Sequence, residues 1–175
     1  ANALYPATCT PSLAAPTNVT ALPSTGSTVF VSWSGSDGAT SYSVWRSTGG
    51  SIVNIGTPDP PAATSFIDLT ASANVGYIYK VMAHNASGDS PFSGTDVAIN
   101  INYTDPTITS GMSVKAVHLT QLRTAADLLS ALAGDPAPSY TDSTITAGVT
   151  TIKAVHFQQV ESFLRNAMGS LGMSV

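Results

Sequence analysis

Residues 77–83 read Tyr77-Ile78-Tyr79-Lys80-Val81-Met82-Ala83, and this stretch decides the fold of the first half of the chain. Tyr77, Tyr79, Val81 and Ala83 alternate with Ile78, Lys80 and Met82, the two-residue period of a strand with one face in a core. Working outward, Val29, Val31 and Trp33 alternate with Phe30, Ser32 and Ser34, and Tyr42 and Val44 alternate with Ser43 and Trp45. From Pro16 to Ile101 such segments are broken by Gly, Pro, Asn and Ser clusters about every 8–12 residues, which is the spacing of an all-β sandwich.

The positions of particular residues sharpen this. Pro16 and Val19 fall on a first strand, Trp33 ends the second, Tyr42 and Val44 lie on the third, and Leu69 precedes a loop. Tyr77, Tyr79, Val81, Ala83, Asn85, Gly88 and Ser90 then follow in series. In this pattern the chain resembles the fibronectin type III family, with a stretch between Leu69 and Tyr77 about two residues longer than usual. The resemblance implies an antiparallel β-sandwich over residues 14–101, with Trp33 as the central core aromatic. It makes Tyr77 a corner tyrosine whose hydroxyl bonds back to the preceding loop. It also implies an interaction or spacing module. The loop Asn85-Ala86-Ser87-Gly88-Asp89-Ser90 lacks the Arg of an adhesive Arg-Gly-Asp triplet, so integrin-type binding is not implied. Gly88-Asp89-Ser90 resembles the start of a lipase nucleophile block, but Pro91 follows and no Asp-x-x-His pair is present.

In the resembling fold the third and sixth strands are neighbours, which would place Trp45, Ile78 and Met82 together on an outer face. A contiguous apolar group with a Trp marks a contact surface, either for the helices of the same chain or for another subunit.

Beyond Asn102 the alternation stops and the chain repeats itself. Tyr103-Thr104-Asp105 returns as Tyr140-Thr141-Asp142, and Lys115-Ala116-Val117-His118 as Lys153-Ala154-Val155-His156, a period of about 38 residues. Each copy, 102–138 and 139–175, carries a Thr-Asp-x-x-Ile-Thr-x-Gly loop leading into a helical stripe. The stripes run through Val114, His118, Leu122, Ala125, Leu129 and Leu132, then through Ile152, His156, Val160, Phe163, Ala167 and Leu171. Ser113 and Thr151 are the expected N-caps, and Gly134 with Pro136 stops the first helix. The fold class is therefore β plus α: a sandwich followed by a two-repeat helical hairpin, the two helices side by side by pseudo-symmetry and leaning either on the sandwich or on a neighbouring molecule. The repeat resembles paired units at the C-termini of secreted bacterial proteins, a likeness that brings no activity with it.

His118 and His156 hold equivalent places on the stripes. Their expected role is structural, each ring meeting a loop carbonyl or a neighbouring Asp; a metal site shared with Asp105 and Asp142 lacks any local ligand spacing. Those two Asp stand alone among Thr and Ile, unlike the alternating carboxylates of a calcium loop, so a dockerin is not expected. No cofactor and no metal is expected, and no catalytic residue is assigned. Glu161 is the sole glutamate, and no nucleophile, phosphate or dinucleotide motif occurs.

Only 9% of residues are charged, the formal net charge is -4, and Ser and Thr make up about a quarter of the chain. No basic stripe is available to neutralise a phosphate backbone, so nucleic acid is not an expected partner; no apolar run is long enough for membrane insertion. Cys9 is the only cysteine, which excludes an internal disulfide. Solubility then rests on hydroxyls, amides or sugars, and sequons occur at Asn18, Asn85 and Asn102. Residues 1–13 form an N-terminal arm in which Leu4 and Tyr5 are the apolar groups.

These features lead to an expectation: a non-enzymatic structural subunit of a secreted or cell-surface bacterial homopolymer, joined through Leu4, Tyr5, Trp45, Ile78 and Met82 and carrying glycans. The alternative is a carbohydrate- or protein-binding accessory module of a larger secreted enzyme.

Overall fold

The computed structural model describes residues 12–24 and 27–173. Strands β1 (Thr17–Ser24), β2 (Thr28–Ser34) and β5 (Ser65–Asp68) form one antiparallel sheet in the order β1-β2-β5. Strands β3 (Ser41–Ser47), β4 (Val53–Gly56) and β6 (Val75–Asn85) form the second in the order β4-β3-β6. The long β6 pairs with β7 (Gly88–Asp89) near one end and with β8 (Asp96–Asn100) near the other. This is the fibronectin type III-like sandwich that the resemblance implied.

The alternating residues meet between the sheets. Val29, Val31, Val44, Tyr79, Val81 and Ala83 are fully enclosed, and Trp33 packs edge-on against Tyr42 with ring centroids 5.4 Å apart. Each buried Val or aromatic contributes about 1.5–3 kcal/mol relative to an exposed side chain. The Tyr77 hydroxyl accepts the Ser72 backbone N–H at 2.8 Å, so the corner-tyrosine expectation holds. Leu13, before β1, is also part of this core, so the arm proper ends ahead of it.

Asp68 is a buried carboxylate at the core's edge. It accepts from Arg46 Nη1 at 2.6 Å and from the Tyr79 hydroxyl at 2.8 Å, while its other oxygen accepts from the Thr70 N–H and hydroxyl. Burial alone would push its pKa up, but the bonds from Thr70, Tyr79 and Arg46 outweigh that and hold it below the ordinary carboxylate value. The same burial, with the bond to Asp68, drives the Tyr79 hydroxyl well above its usual range.

Two helices follow, α1 (Ala116–Ala133) and α2 (Ala154–Ser170). Their Ala- and Leu-rich or Gln-rich sequences favour helix, and Gly134 ends α1 in the left-handed conformation with φ 73°. The N-caps differ from the expected Ser113 and Thr151. The helices start later, with Lys115 and Lys153 in the cap position, because a histidine performs the reach-back that Glu performs in a capping box. His118 Nδ1 accepts the Lys115 N–H at 3.2 Å, and His156 Nδ1 accepts the Lys153 N–H at 3.3 Å.

The helices pack side by side, and both C-terminal turns lie together: Leu129 and Leu132 cluster with Ala167, Met168 and Leu171. Farther back, Leu119 and Ala126 share a second cluster with Val160. The pair therefore runs in one sense, with residues 134–153 as a return loop, which refines the expected hairpin. The same C-terminal cluster takes in Ile78, Val97 and Ile99 from the second sheet, so the helical part rests on the sandwich.

Candidate interaction surfaces

The outer face of the second sheet is where the sequence placed a contact surface. Strands β3 and β6 are indeed neighbours, with Ser43 opposite Met82, Trp45 opposite Lys80 and Ser47 opposite Ile78. The three named residues share one face but have different neighbours. Ile78 lies under the C-terminal turns of α1 and α2. Trp45 is half-buried, with its ring edge-on to Phe92 at 5.4 Å. Met82 is half-buried farther along. The apolar end of this face is covered by the chain's own helices, a change from the expectation that Ile78 meets another subunit. Leu4 and Tyr5 lie outside the described residues, as does Cys9.

Glycines explain how closely the helices approach. A Cβ on Gly76 would lie 2.8 Å from Leu132 Cδ1 and 3.0 Å from Ile99 Cδ1. At Gly49, with φ 101°, a Cβ would lie 3.3 Å from the Ala131 carbonyl.

Next to the covered patch runs a polar relay that sequence reading missed. The Trp45 indole N–H donates to Ser43 Oγ at 2.8 Å, the Ser43 hydroxyl meets His84 Nε2 at 2.7 Å, and His84 Nδ1 meets Asp89 Oδ1 at 2.6 Å. A carboxylate can only accept, so Nδ1 carries the proton and Nε2 accepts from Ser43. The order is that of a hydrolase triad, yet Ser43 is 4% exposed and its oxygen already accepts the indole proton. The neighbouring Tyr42 backbone N–H is already donated to the Pro61 carbonyl at 3.1 Å, so it is not free to stabilise a developing oxyanion. The relay fixes the Trp45 ring. Ser43, His84 and Asp89 come from three separate strands, so no spacing within one segment of the sequence links them.

Each repeat holds its own Asp–Lys–His cluster. Asp105 Oδ2 accepts from Lys115 Nζ and His118 Nε2, both at 2.7 Å; Asp142 Oδ2 accepts from Lys153 Nζ at 2.7 Å and His156 Nε2 at 3.0 Å. Each carboxylate has its pKa held below the ordinary value, first by the Lys bond and then by the His bond. Each His thus serves the Asp of its own loop, the structural role expected of it. One ring nitrogen caps the helix and the other anchors the loop.

Among the sequons, Asn18 is exposed and its amide donates to Ser34 Oγ at 3.1 Å. The Asn85 amide is committed twice, donating to the Gly38 carbonyl at 3.2 Å and accepting the Ser87 N–H at 2.8 Å. Asn102 is exposed, and only its backbone carbonyl is engaged, by Gln121.

The first sheet carries a surface that sequence analysis did not single out. Leu22 is opposite Phe30, and Phe30 is opposite Ile67, so these three form one row straight across β1, β2 and β5 on the outer face. Leu22 is 61% exposed, Phe30 41% and Ile67 56%, and Leu69 continues the row past the strand end. The next row holds Thr20 and Ser32, bonded at 2.7 Å, and no charged side chain stands on this outer face within the three strands. Along the sequence the row is invisible, because each member looks like a lone outward residue until the register joins them.

No family model and no curated protein matches the chain. Among solved structures it is similar to a Fn3-like protein from Clostridium thermocellum, at 28% identity over 56% of this chain and 98% of that one, with a TM-score of 0.46. It is also similar to the fn3 domain of human collagen alpha-1(XX), at 18% identity over 61% of this chain and 100% of that one, TM-score 0.47. A third similarity is to a beta-1,2-glucanase from Parabacteroides distasonis, at 19% identity over 68% of this chain but only 15% of that one, TM-score 0.45. No helix among the described residues is long and apolar enough to cross a membrane. By its strand order and its corner tyrosine, the chain is a fibronectin type III-like β-sandwich followed by two helices.

Proposed function

We propose that this chain is a non-catalytic structural module of a secreted or cell-surface protein, and that it works by associating with further copies of itself into a polymer. The observation that carries this reading is the uncharged row Leu22–Phe30–Ile67 with Leu69 beyond it. Outer sheet faces that must remain alone in water are normally protected by charge, and a contiguous apolar row framed by hydroxyls is the composition of a contact surface. β5 pairs only with β2 among the described residues, so its other edge is open to an added strand. The N-terminal arm, with Leu4 and Tyr5, is the segment we assign to such an edge on a neighbouring copy.

Phe30→Lys with Ile67→Lys tests this. Both side chains are exposed, so the fold should survive, and the regular fibres expected of the parent protein in electron micrographs should be replaced by dispersed particles. Removal of residues 1–11, which spares the core residue Leu13, should also block assembly. A parent protein that stays monomeric over a wide concentration range overturns the reading. Sugars at Asn102 and Asn18 complete the proposal, and intact mass measurement on protein from its native source detects them.

A second reading, an accessory module within a larger secreted enzyme, is favoured by the burial of Ile78 under the chain's own helices. A module finished in this way can serve as a rigid spacer.

A further inference from the structure

The two repeats are alike within themselves and unlike at their outward faces. Within each, the loop is tied to its own helix in the same way: Thr104 N–H to Gln121 Oε1 in the first and Thr141 N–H to Gln159 Oε1 in the second, beside the Asp–Lys–His clusters. Between them, α1 receives the loop of the second repeat. Arg123 donates to the carbonyls of Thr141 at 2.8 Å and Asp142 at 2.9 Å, and its guanidinium lies 4.5 Å from the Tyr140 ring centroid. The Tyr140 hydroxyl donates to Asp127 at 2.9 Å. Ile145 packs with Leu119 and Ala126, which are fully buried.

One repeat farther on, this receiving face occurs again with none of the described residues laid across it as the second loop lies on α1. The positions of Leu119, Arg123, Ala126, Asp127 and Ser130 on α1 become Phe157, Glu161, Leu164, Arg165 and Met168 on α2. Five of the residues that line an open groove of about 390 Å³ are these, with Val160 at its floor. At the opposite end, the first repeat carries the inserting loop without a receiver. Tyr103 and Ile108 correspond to Tyr140 and Ile145, and whereas the latter are packed, Ile108 is 67% exposed. Because α1 and α2 run in one sense, the operation relating the repeats is a step and not a two-fold, and a step can be continued from one molecule to the next.

We propose that a second copy of the chain seats its Tyr103–Ile108 loop in the Phe157–Met168 groove of α2, extending between molecules the interface that α1 and the second loop form within one. This rests on the self-association reading above but uses a surface on the other module. The polar partners are present in reversed order. Arg123 and Asp127 are replaced by Glu161 and Arg165, which hold each other at 2.9 Å on the exposed helix surface. By the same step Glu161 takes the place of Arg123 beside the incoming loop carbonyls and Arg165 that of Asp127 beside the Tyr103 hydroxyl, so the intermolecular contact rests on the apolar groups Phe157, Leu164 and Met168 and does not repeat the Arg123 hydrogen bonds.

The test uses full-length protein in a Cys9→Ser background. One preparation carries Ile108→Cys and the other Phe157→Cys, both at exposed positions. Mixed under mild oxidation, they should give a mixed-chain disulfide dimer about tenfold in excess of either self-dimer. A chain carrying both substitutions should give a ladder of higher oligomers. If the parent assembles but the mixture cross-links no better than either preparation alone, this contact is wrong and the sheet-row reading stands. If the parent shows no association in a concentration series, self-association fails and takes this proposal with it.

Discussion

Gly76 on β6 and Leu132 on α1 touch across the seam between sandwich and helices, so closely that a single Cβ on the glycine would come within 2.8 Å of the leucine methyl. The seam depends on the absence of a side chain at one position. Gly76→Val should lift α1 from the sheet at a cost of about 1–3 kcal/mol, the usual range for overpacking. Calorimetry should show the helical transition moving down and away from that of the sandwich.

The Asp68 carboxylate gathers four hydrogen bonds at the edge of the core, one of them from a cation. Asp68→Ala would leave Arg46, Tyr79 and Thr70 without their acceptor and should destabilise the sandwich by about 3 kcal/mol, as expected when one partner of a buried ion pair is removed. Urea denaturation followed by Trp33 fluorescence measures it.

Arg123 is a buried cation whose fork reaches two carbonyls and stacks on Tyr140. A lysine has one point of contact and no plane, so Arg123→Lys should cost about 2 kcal/mol despite keeping the charge. The loss should appear in helical ellipticity on heating, with the sandwich transition unchanged.

Acid should loosen the helical part. Asp105 and Asp142 have pKa values lowered in the folded chain, so their contribution is complete above the ordinary carboxylate range and is lost as pH falls through the lowered values, below about pH 4. Asp68 adds the same sign in the sandwich. Ellipticity at 222 nm should fall over this window, and an Asp142→Asn variant should show a shallower fall from a lower starting stability.

Much of the sandwich was legible because strand period, Trp33 and Tyr77 are local signals: each reports its own surroundings. The helical stripe through His118, Leu122 and Leu129 was legible for the same reason. What escaped was whatever depends on one segment meeting another. Arg123 looks like an ordinary exposed cation until the carbonyls of Thr141 and Asp142, which no sequence period locates, come to rest against it. Ile78 reads as an outward apolar residue in either outcome, and only the docking of α1 decides that it is covered. The row Leu22–Phe30–Ile67 required the register of three strands, which is set by turns and core packing together.

His118 and His156 close the backbone at the start of each helix from inside the same repeat, and their Asp partners also come from the same stretch of chain. Each cassette therefore arrives with its helix start and its Asp already answered, and the second takes from its neighbour a face to rest upon and Arg123 for its loop carbonyls. Evolution or an engineer could splice a third cassette in at the junction of residues 138 and 139 and lengthen the protein without rewriting the sandwich that anchors it.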